Sequence, residues 1–409
     1  MKILHIPSAY YPVIGGTELL VRKISEKLAL WGHEVIVLTS DVSSVAGYFR
    51  LGEKKISRRK DNIGSVEIIR VSFGGLLYKI ASRFYKHIPF ERLRNKFIFI
   101  ALSICEWIFA KQIQEQIRRI KPNVIMIAPH LHPNVIATIK ARKNNRFPLI
   151  FYPCLHEEDT HWSFVNMKTA LENVDVVLAL TDYEASRLVS RYSVDVNKVI
   201  TTWIGVDIPN DICKKNCISN KQILFLGRKV IHKGMLLLIE AMKLVWENYP
   251  EIKVILAGNR EIETTMLDEH LKSLPVVYSK KIESLDNISE EKKASLLESS
   301  LCLVLPSKIE SFGAVILEAW AYATPVITFD LPVFRSFITP EKDGILVPPD
   351  DRKTLAEAII RIIQNPELSQ SLGSAGRKKV KDMFMWDSVV LRYLQACERA
   401  IAMVCSKDK

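Results

Sequence analysis

The order of element types along the chain constrains its fold more than any single motif does. A β-rich run, "KILHIP", opens the sequence and passes into a loop with Pro and paired Gly, "SAYYPVIGG". "TELLVRKISEKLALWG" then carries Leu19, Leu20, Ile24, Leu28 and Leu30 at helical spacing, with Gly32 to stop it. "HEVIVLTS" follows as a second strand of the fully buried type. Strand, loop, helix and strand in this order make a βαβ unit, and its crossover implies a parallel sheet. Further strands are expected at "SVEIIRVS", "NVIMIAP", "PLIFYP", "DVVLALT" and "NKVITTWIGVD".

After the polar stretch "GVDIPNDICKKNCISNK" (205–221) the same grammar restarts. "QILFLGR" is a strand, "KGMLLLIEAMKLVWENYP" a helix and "IKVILAG" a strand. "LPVVYS" reads as a strand, "EEKKASLLESS" as a helix and "LCLVLPS" as another strand. The stretch "KIESFGAVILEAWAYATPVI" then gives loop, helix and strand, "DGILVPPD" one more strand, and three helices close the chain. The expected architecture is α/β, with two Rossmann-like domains facing each other across a cleft, divided near residues 205 and 206. A length of 409 residues suits two cores of about 200 residues each. In open α/β sheets ligands bind beyond the carboxyl ends of the strands.

Four constellations carry chemistry. In "KIESFGAVILEAWAYATPVI" the strand "LCLVLP" ends at Ser307, a loop carries Glu310 and Ser311, and the next helix begins near Phe312 or Gly313. The unpaired N–H groups of that first turn, around Ser311, Phe312, Gly313 and Ala314, form an anion site. Glu318 lies about five residues in, roughly 7 to 8 Å along the axis, the depth of a ribose beyond a diphosphate at the mouth. A bland reading makes both glutamates surface charges. However, "AVILEAWAYA" surrounds Glu318 with apolar groups, and a carboxylate there requires a partner.

In "FLGRKVIHKG", Arg228 and Lys233 follow a strand end, as a departing diphosphate would need. Gly15 and Gly16 join the first strand to its helix, where a backbone can approach phosphate or sugar closely. This is not the G-x-G-x-x-G dinucleotide fingerprint. In "FYPCLHEEDTHW", His156 follows a strand and would face the cleft as a hydrogen-bonding or acid–base group. His156 and His161 are five apart, which does not match H-E-x-x-H, and His130 and His132 have no third ligand nearby, so no metal is expected.

Taken together these residues resemble glycosyltransferase family 4, the large retaining family of GT-B fold. Its signature E-x7-E is matched by Glu310 and Glu318 in their sequence context. The likeness extends through the Gly-Gly loop, "GHEVIVLTS", "TDYEASRL", "GVD" at 205–207, "FLGR…KG" and the closing "MWDSVV" helix. It implies an N-terminal acceptor-side domain over 1–205, joined by a C-terminal helix at about 386–409. It also implies a nucleotide-sugar domain over 206–385. Glu318 would hold the ribose, Glu310 the donor sugar, and Arg228 and Lys233 the diphosphate, with His156 beside the reacting sugar.

The implied activity moves a hexosyl unit from a UDP- or GDP-sugar to an acceptor hydroxyl, with no cofactor or metal. The acceptor would be a lipid-linked glycan or another polysaccharide precursor. Two departures leave the nucleotide open: Ile204 precedes the Gly-Val-Asp where Asn is common, and "KKIESLDN" replaces a usual Gly. A sugar-nucleotide epimerase, a phosphorylase and a non-catalytic nucleotide-sugar-binding subunit are the alternatives on such a scaffold.

Net charge is +12, from 57 Lys plus Arg against 45 Asp plus Glu, and anionic partners follow from it. Nucleic acid is not expected, because no recognition motif is present. The charge concentrates in residues 75–120. There Lys79, Arg83, Lys86, Arg92, Arg94, Lys96, Lys111, Arg118 and Arg119 stand among aromatics against Glu91, Glu106 and Glu115. That composition suits an anionic membrane surface, although "FIFIALSICEWIF" also reads as a plain core helix. No secretory signal and no uncharged run of about 18 apolar residues is visible, and the seven cysteines are scattered. The expected location is cytoplasmic, with peripheral attachment to the inner face of the membrane.

Overall fold

The computed structural model describes all residues except 14, 130, 131, 145, 156–163, 211–220, 261–263 and 407–409. The chain divides into two compact units, one holding the residues to Trp203 together with those from Trp386 onward, the other Ile204–Met385.

The first unit begins with β1 (Lys2–Pro7), α1 (Gly16–Leu30) and β2 (Glu34–Ser40), the expected βαβ unit. β3 (Lys60–Ile63) and β4 (Val66–Val71) form an antiparallel pair, followed by α2 (Gly75–Phe84) and the 30-residue α3 (Glu91–Ile120). β5 (Val124–Ala128), α4 (Pro133–Asn144), β6 (Leu149–Phe151), α5 (Phe164–Glu172), β7 (Val176–Ala179), α6 (Asp182–Tyr192) and β8 (Val199–Thr201) complete the alternation. The sheet order is β3-β4-β2-β1-β5-β6-β7-β8. On α1 the buried side is Leu20, Val21, Ile24 and Leu28, whereas Leu19 and Leu30 are 47% and 78% exposed. At 100° per residue those two leucines fall off the stripe that the other apolar positions define.

The C-terminal helix (Trp386–Cys405) packs on this unit. Its Tyr393 Oη lies 2.7 Å from His5 Nε2, and Ser25 Oγ lies 2.7 Å from His5 Nδ1. Ser25 donates its own proton to the Val21 carbonyl, so Nδ1–H donates to Ser25 and Nε2 accepts from Tyr393. Burial pushes the His5 pKa down to about 3, so the ring is neutral and this buried network carries no charge.

The second unit runs β9 (Gln222–Leu226), α7 (Met235–Asn248), β10 (Lys253–Gly258), α8 (Thr264–Ser273), α9 (Val276–Ser279), β11 (Ile282–Asp286), α10 (Glu290–Ser299) and β12 (Cys302–Leu305). It continues through α11 (Ala314–Ala321), β13 (Val326–Phe329), α12 (Pro332–Arg335), β14 (Ile345–Val347), α13 (Arg352–Gln364) and α14 (Pro366–Met383). All six strands are parallel, in the order β11-β10-β9-β12-β13-β14. The expected strand at "LPVVYS" is instead the helical turn α9, and the strand lies six residues later in "KKIESLDN". Val276 and Val277 point outward at 64% and 60% exposure, while Tyr278 stacks on Trp246 at 5.5 Å. Tertiary packing overrides the β propensity of the two valines. β11 is the sheet edge, and its half-exposed polar sequence hides it from a hydrophobicity reading.

Candidate functional site

In the second unit the strand order reverses between β9 and β12, the place where open parallel sheets leave a ligand crevice. The loops leaving those two strands carry the sequence-derived candidates, and they touch. Gly234 has φ 79°, and a Cβ on it would sit 2.0 Å from the Pro306 carbonyl oxygen. The Lys308 amide donates to the His232 carbonyl at 2.8 Å. Only glycine permits so close a meeting.

That contact delivers Lys233 to Glu310. The ammonium lies 2.5 Å from Glu310 Oε1, and Ser307 Oγ donates to the same oxygen at 3.1 Å. Both side chains are nearly buried, at 12% and 9% exposure. Glu310 and Lys233, assigned from sequence to the sugar and the diphosphate, therefore hold each other. Arg228 stands exposed at the end of β9.

Beside this pair lies the mouth of α11. Gly313 is its N-cap, in the left-handed region at φ 87°, and no side chain caps the first turn. A Cβ on Gly313 would come within 2.8 Å of Phe334 Cε1. Ser311 is half-buried and Ala314 exposed. The role expected of Phe312 belongs to its backbone amide, and its side chain points the other way. Its ring is 1% exposed and stacks on Phe337 at 4.9 Å, so its side chain anchors the loop in the core.

Glu318, the fifth residue of α11, finds its partner on α10, where Lys293 Nζ lies 2.9 Å from Oε1. Burial raises the Glu318 pKa, and Lys293 offsets part of that rise. Burial works against the Lys293 ammonium, but the Glu318 and Glu290 carboxylates outweigh it and its pKa is raised. The two glutamates of the E-x7-E pattern thus have separate lysines.

One buried group at this edge of the sheet was not singled out from sequence. Lys229, between Arg228 and Lys233, is fully buried. Its ammonium donates to Ser284 Oγ at 2.6 Å and to Asp286 at the end of β11. Asp286 also accepts from Arg260 at 3.1 Å. Burial opposes the Asp286 carboxylate, but the bonds from Lys229 and Arg260 outweigh it and hold its pKa below the usual range. The available signal was the departure at "KKIESLDN", the stretch that contains Asp286.

In the first unit the sheet reverses between β1 and β5. Gly15 and Gly16 lead from β1 into α1 there, with Gly15 as N-cap. A Cβ on Gly15 would lie 2.2 Å from Glu18 Oε2, whereas one on Gly16 meets nothing within 4 Å. Burial raises the Glu18 pKa. After β6, the Leu155 amide donates to Glu184 Oε1 and the Leu180 amide to Oε2, each at 2.7 Å. Burial lifts the Glu184 pKa to about 7 against the pull of those two bonds. His156, His161 and His130 lie outside the described residues, as do Cys213 and Cys217. Among the described residues, no three His, Cys, Asp or Glu side chains converge as metal ligands would.

Two family models match consecutive parts of the chain: Glycosyltransferase Family 4 over residues 14–209 and Glycosyl transferases group 1 over 214–379. A phosphatidyl-myo-inositol mannosyltransferase of Mycobacterium leprae (strain TN) is 30% identical over 206 residues. The match spans about half of each protein, 47% of this chain and 53% of the relative. The O-antigen chain mannosyltransferase C of Escherichia coli is 22% identical over 407 residues, 96% of this chain and 97% of that one. The crystal structure of Anabaena Alr3699/HepE in complex with UDP and glucose superimposes with a TM-score of 0.68. It is 17% identical and covers 97% of this chain and 98% of its own.

Proposed function

The chain belongs to glycosyltransferase family 4, with the GT-B fold of two Rossmann-like units, and on that premise we propose that it moves a hexosyl unit from a nucleotide-diphosphate sugar to an acceptor hydroxyl with retained anomeric configuration. The observation that carries this reading is the Lys233–Glu310 pair at the strand-order switch, next to the uncapped mouth of α11. Without donor the two charges satisfy each other. A donor diphosphate supplies a better partner for Lys233 and frees Glu310 to accept hydrogen bonds from the sugar hydroxyls. As the anomeric C–O bond breaks, the diphosphate leaves with the electron pair. Arg228, Lys233 and the α11 amides neutralise its charge. The acceptor oxygen forms the new C–O bond and passes its proton to an oxygen of the departing diphosphate. Because these cations and amides already meet the leaving group, the reading includes no metal ion.

Glu318 takes the ribose hydroxyls, with Lys293 keeping it ionised. Gly15 and Gly16 are assigned to close approach of sugar or phosphate to the backbone, and His156 to hydrogen bonding or acid–base work on the sugar. The two relatives, a phosphatidyl-myo-inositol mannosyltransferase and an O-antigen chain mannosyltransferase, support a mannosyl donor and a lipid or cell-surface glycan acceptor. Cys105, Cys154, Cys302, Cys397 and Cys405 are free thiols, which fits a reducing, cytoplasmic setting.

The test is a panel of UDP-, GDP- and ADP-sugars scored by thermal stabilisation, since a bound donor raises stability by mass action. Product analysis then follows with and without acceptor, in a chelator. Transfer that needs an acceptor supports the reading. Phosphate-dependent release, or epimerisation without acceptor, overturns it.

A further inference from the structure

Residues 75–111 include none of the groups assigned above, and their outward side has an unusual surface. α3 commits Ala101, Cys105, Phe109, Ile113 and Ile117, four apart, to the core. A second apolar stripe runs along the same helix, where Leu93, Ile100, Ile104 and Trp107 are 56%, 49%, 43% and 58% exposed. On α2, Tyr78 and Ala81 are buried, while Leu76, Ile80 and Phe84, also four apart, are 71%, 44% and 61% exposed. Single exposed apolar residues are ordinary, but two helical stripes of them within one segment mark an interaction surface.

The charges there are of one sign. Between residues 75 and 111 the chain has seven Lys or Arg and only Glu91 and Glu106 as acids. Lys79 and Arg83 follow the α2 stripe, and the Lys111 ammonium lies 3.8 Å over the Trp107 ring at the end of the α3 stripe. Apolar rings with cations beside them match the boundary between acyl chains and acidic headgroups. A second copy of the chain fits poorly, because an isologous contact would set cation against cation. α3 is also long and apolar enough to cross a bilayer, but its core-facing row ties one side of it to the sheet.

We propose that the outward face of α2 and α3 docks on an anionic lipid bilayer, lying in the plane of the interface, with Ile80, Phe84 and Trp107 entering the headgroup region. Lys79, Arg83 and Lys86 meet the lipid phosphates. The docking stands on surface chemistry alone and is measured without turnover, so its failure leaves the transferase reading intact.

The full chain should cosediment with phosphatidylcholine vesicles containing about a third phosphatidylglycerol, fail to do so with phosphatidylcholine alone, and be released by high salt. Replacing Lys79, Arg83 and Lys86 together by Ser should weaken partitioning on the order of a hundredfold. Ile80→Ser with Phe84→Ser should weaken it at constant charge, by roughly tenfold or more. All five positions are exposed, and unchanged thermal unfolding checks each variant. Equal sedimentation with both vesicle types, or a triple variant that binds like the wild type, overturns the proposal. So does a stable dimer that Ile80→Ser with Phe84→Ser dissociates, or a membrane-bound chain that resists alkaline carbonate.

Discussion

Lys233 Nζ sits 2.5 Å from Glu310 Oε1 although the residues are 77 apart in sequence, because β9 and β12 are neighbours in the sheet and their exit loops touch. The cation proposed to meet a diphosphate is held by the carboxylate proposed to meet the sugar. If this pair is a ligand-exchange device, its stability role and its functional role separate. Lys233→Met leaves Glu310 nearly buried without a counter-charge and should cost about 3 kcal/mol. Adding Glu310→Gln should recover much of that loss. Transfer should stay at least a hundredfold down in both variants, because the diphosphate has lost its cation. Denaturant melts and kcat/KM on the pair make the check, and activity returning with stability would assign the pair to the scaffold alone.

Glu318 makes a different demand. Lys293 also pairs with Glu290 at 2.8 Å, so Glu318→Gln leaves no charge unpaired and should fold normally, with a small change in melting temperature. Losing charged hydrogen bonds to two ribose hydroxyls should weaken nucleotide affinity roughly ten- to hundredfold. The loss should be the same for every sugar on the preferred nucleotide and for the free nucleoside diphosphate. Titration calorimetry with the diphosphate reads this directly, and unchanged affinity would remove Glu318 from the site.

The two sheet-reversal loops predict opposite costs for an added methyl. Gly313→Ala forces a side chain into the left-handed region and against Phe334, so it should lose about 1–3 kcal/mol of stability. Gly16→Ala meets open space and should leave stability unchanged or slightly raised. A fall in transfer with Gly16→Ala at undiminished melting temperature would show ligand approaching that backbone. Full activity would make Gly16 incidental.

What could be read in the sequence followed the period of its apolar residues. Both βα-alternating units, the approximate start of α11 and the depth of Glu318 within it came from runs whose spacing reports their own structure. The partners did not, because each depends on which strands and helices become neighbours. Lys293 lies 25 residues before Glu318, on a helix of ordinary solvated composition. Lys229 belongs to no apolar period, and the β9 exit turns it inward to Ser284 and Asp286 on the sheet edge. That edge strand was itself missed in favour of "LPVVYS". Residues 75–120 carried two readings, a core helix and a membrane-facing surface. The structure gives α3 a buried row, which meets the first, and an exposed apolar stripe, on which the second now stands as a proposal.

Glu184 supplies a test in pH. Its carboxyl takes the Leu155 and Leu180 amides with no cation beside it among the described residues, and burial raises its pKa from 4.5 to about 7. A carboxyl whose folded pKa exceeds its unfolded one binds its proton more tightly when folded. Its stabilising contribution is therefore complete below about pH 4.5 and is lost as pH rises through about 7. The span corresponds to about 3 kcal/mol at most. Glu184→Gln removes the titration while keeping the shape, so the wild type should lose stability relative to Glu184→Gln between those two pH values. Urea melts of both proteins across that window measure the difference. Parallel curves would mean that Glu184 stays ionised throughout, held by the two amides alone.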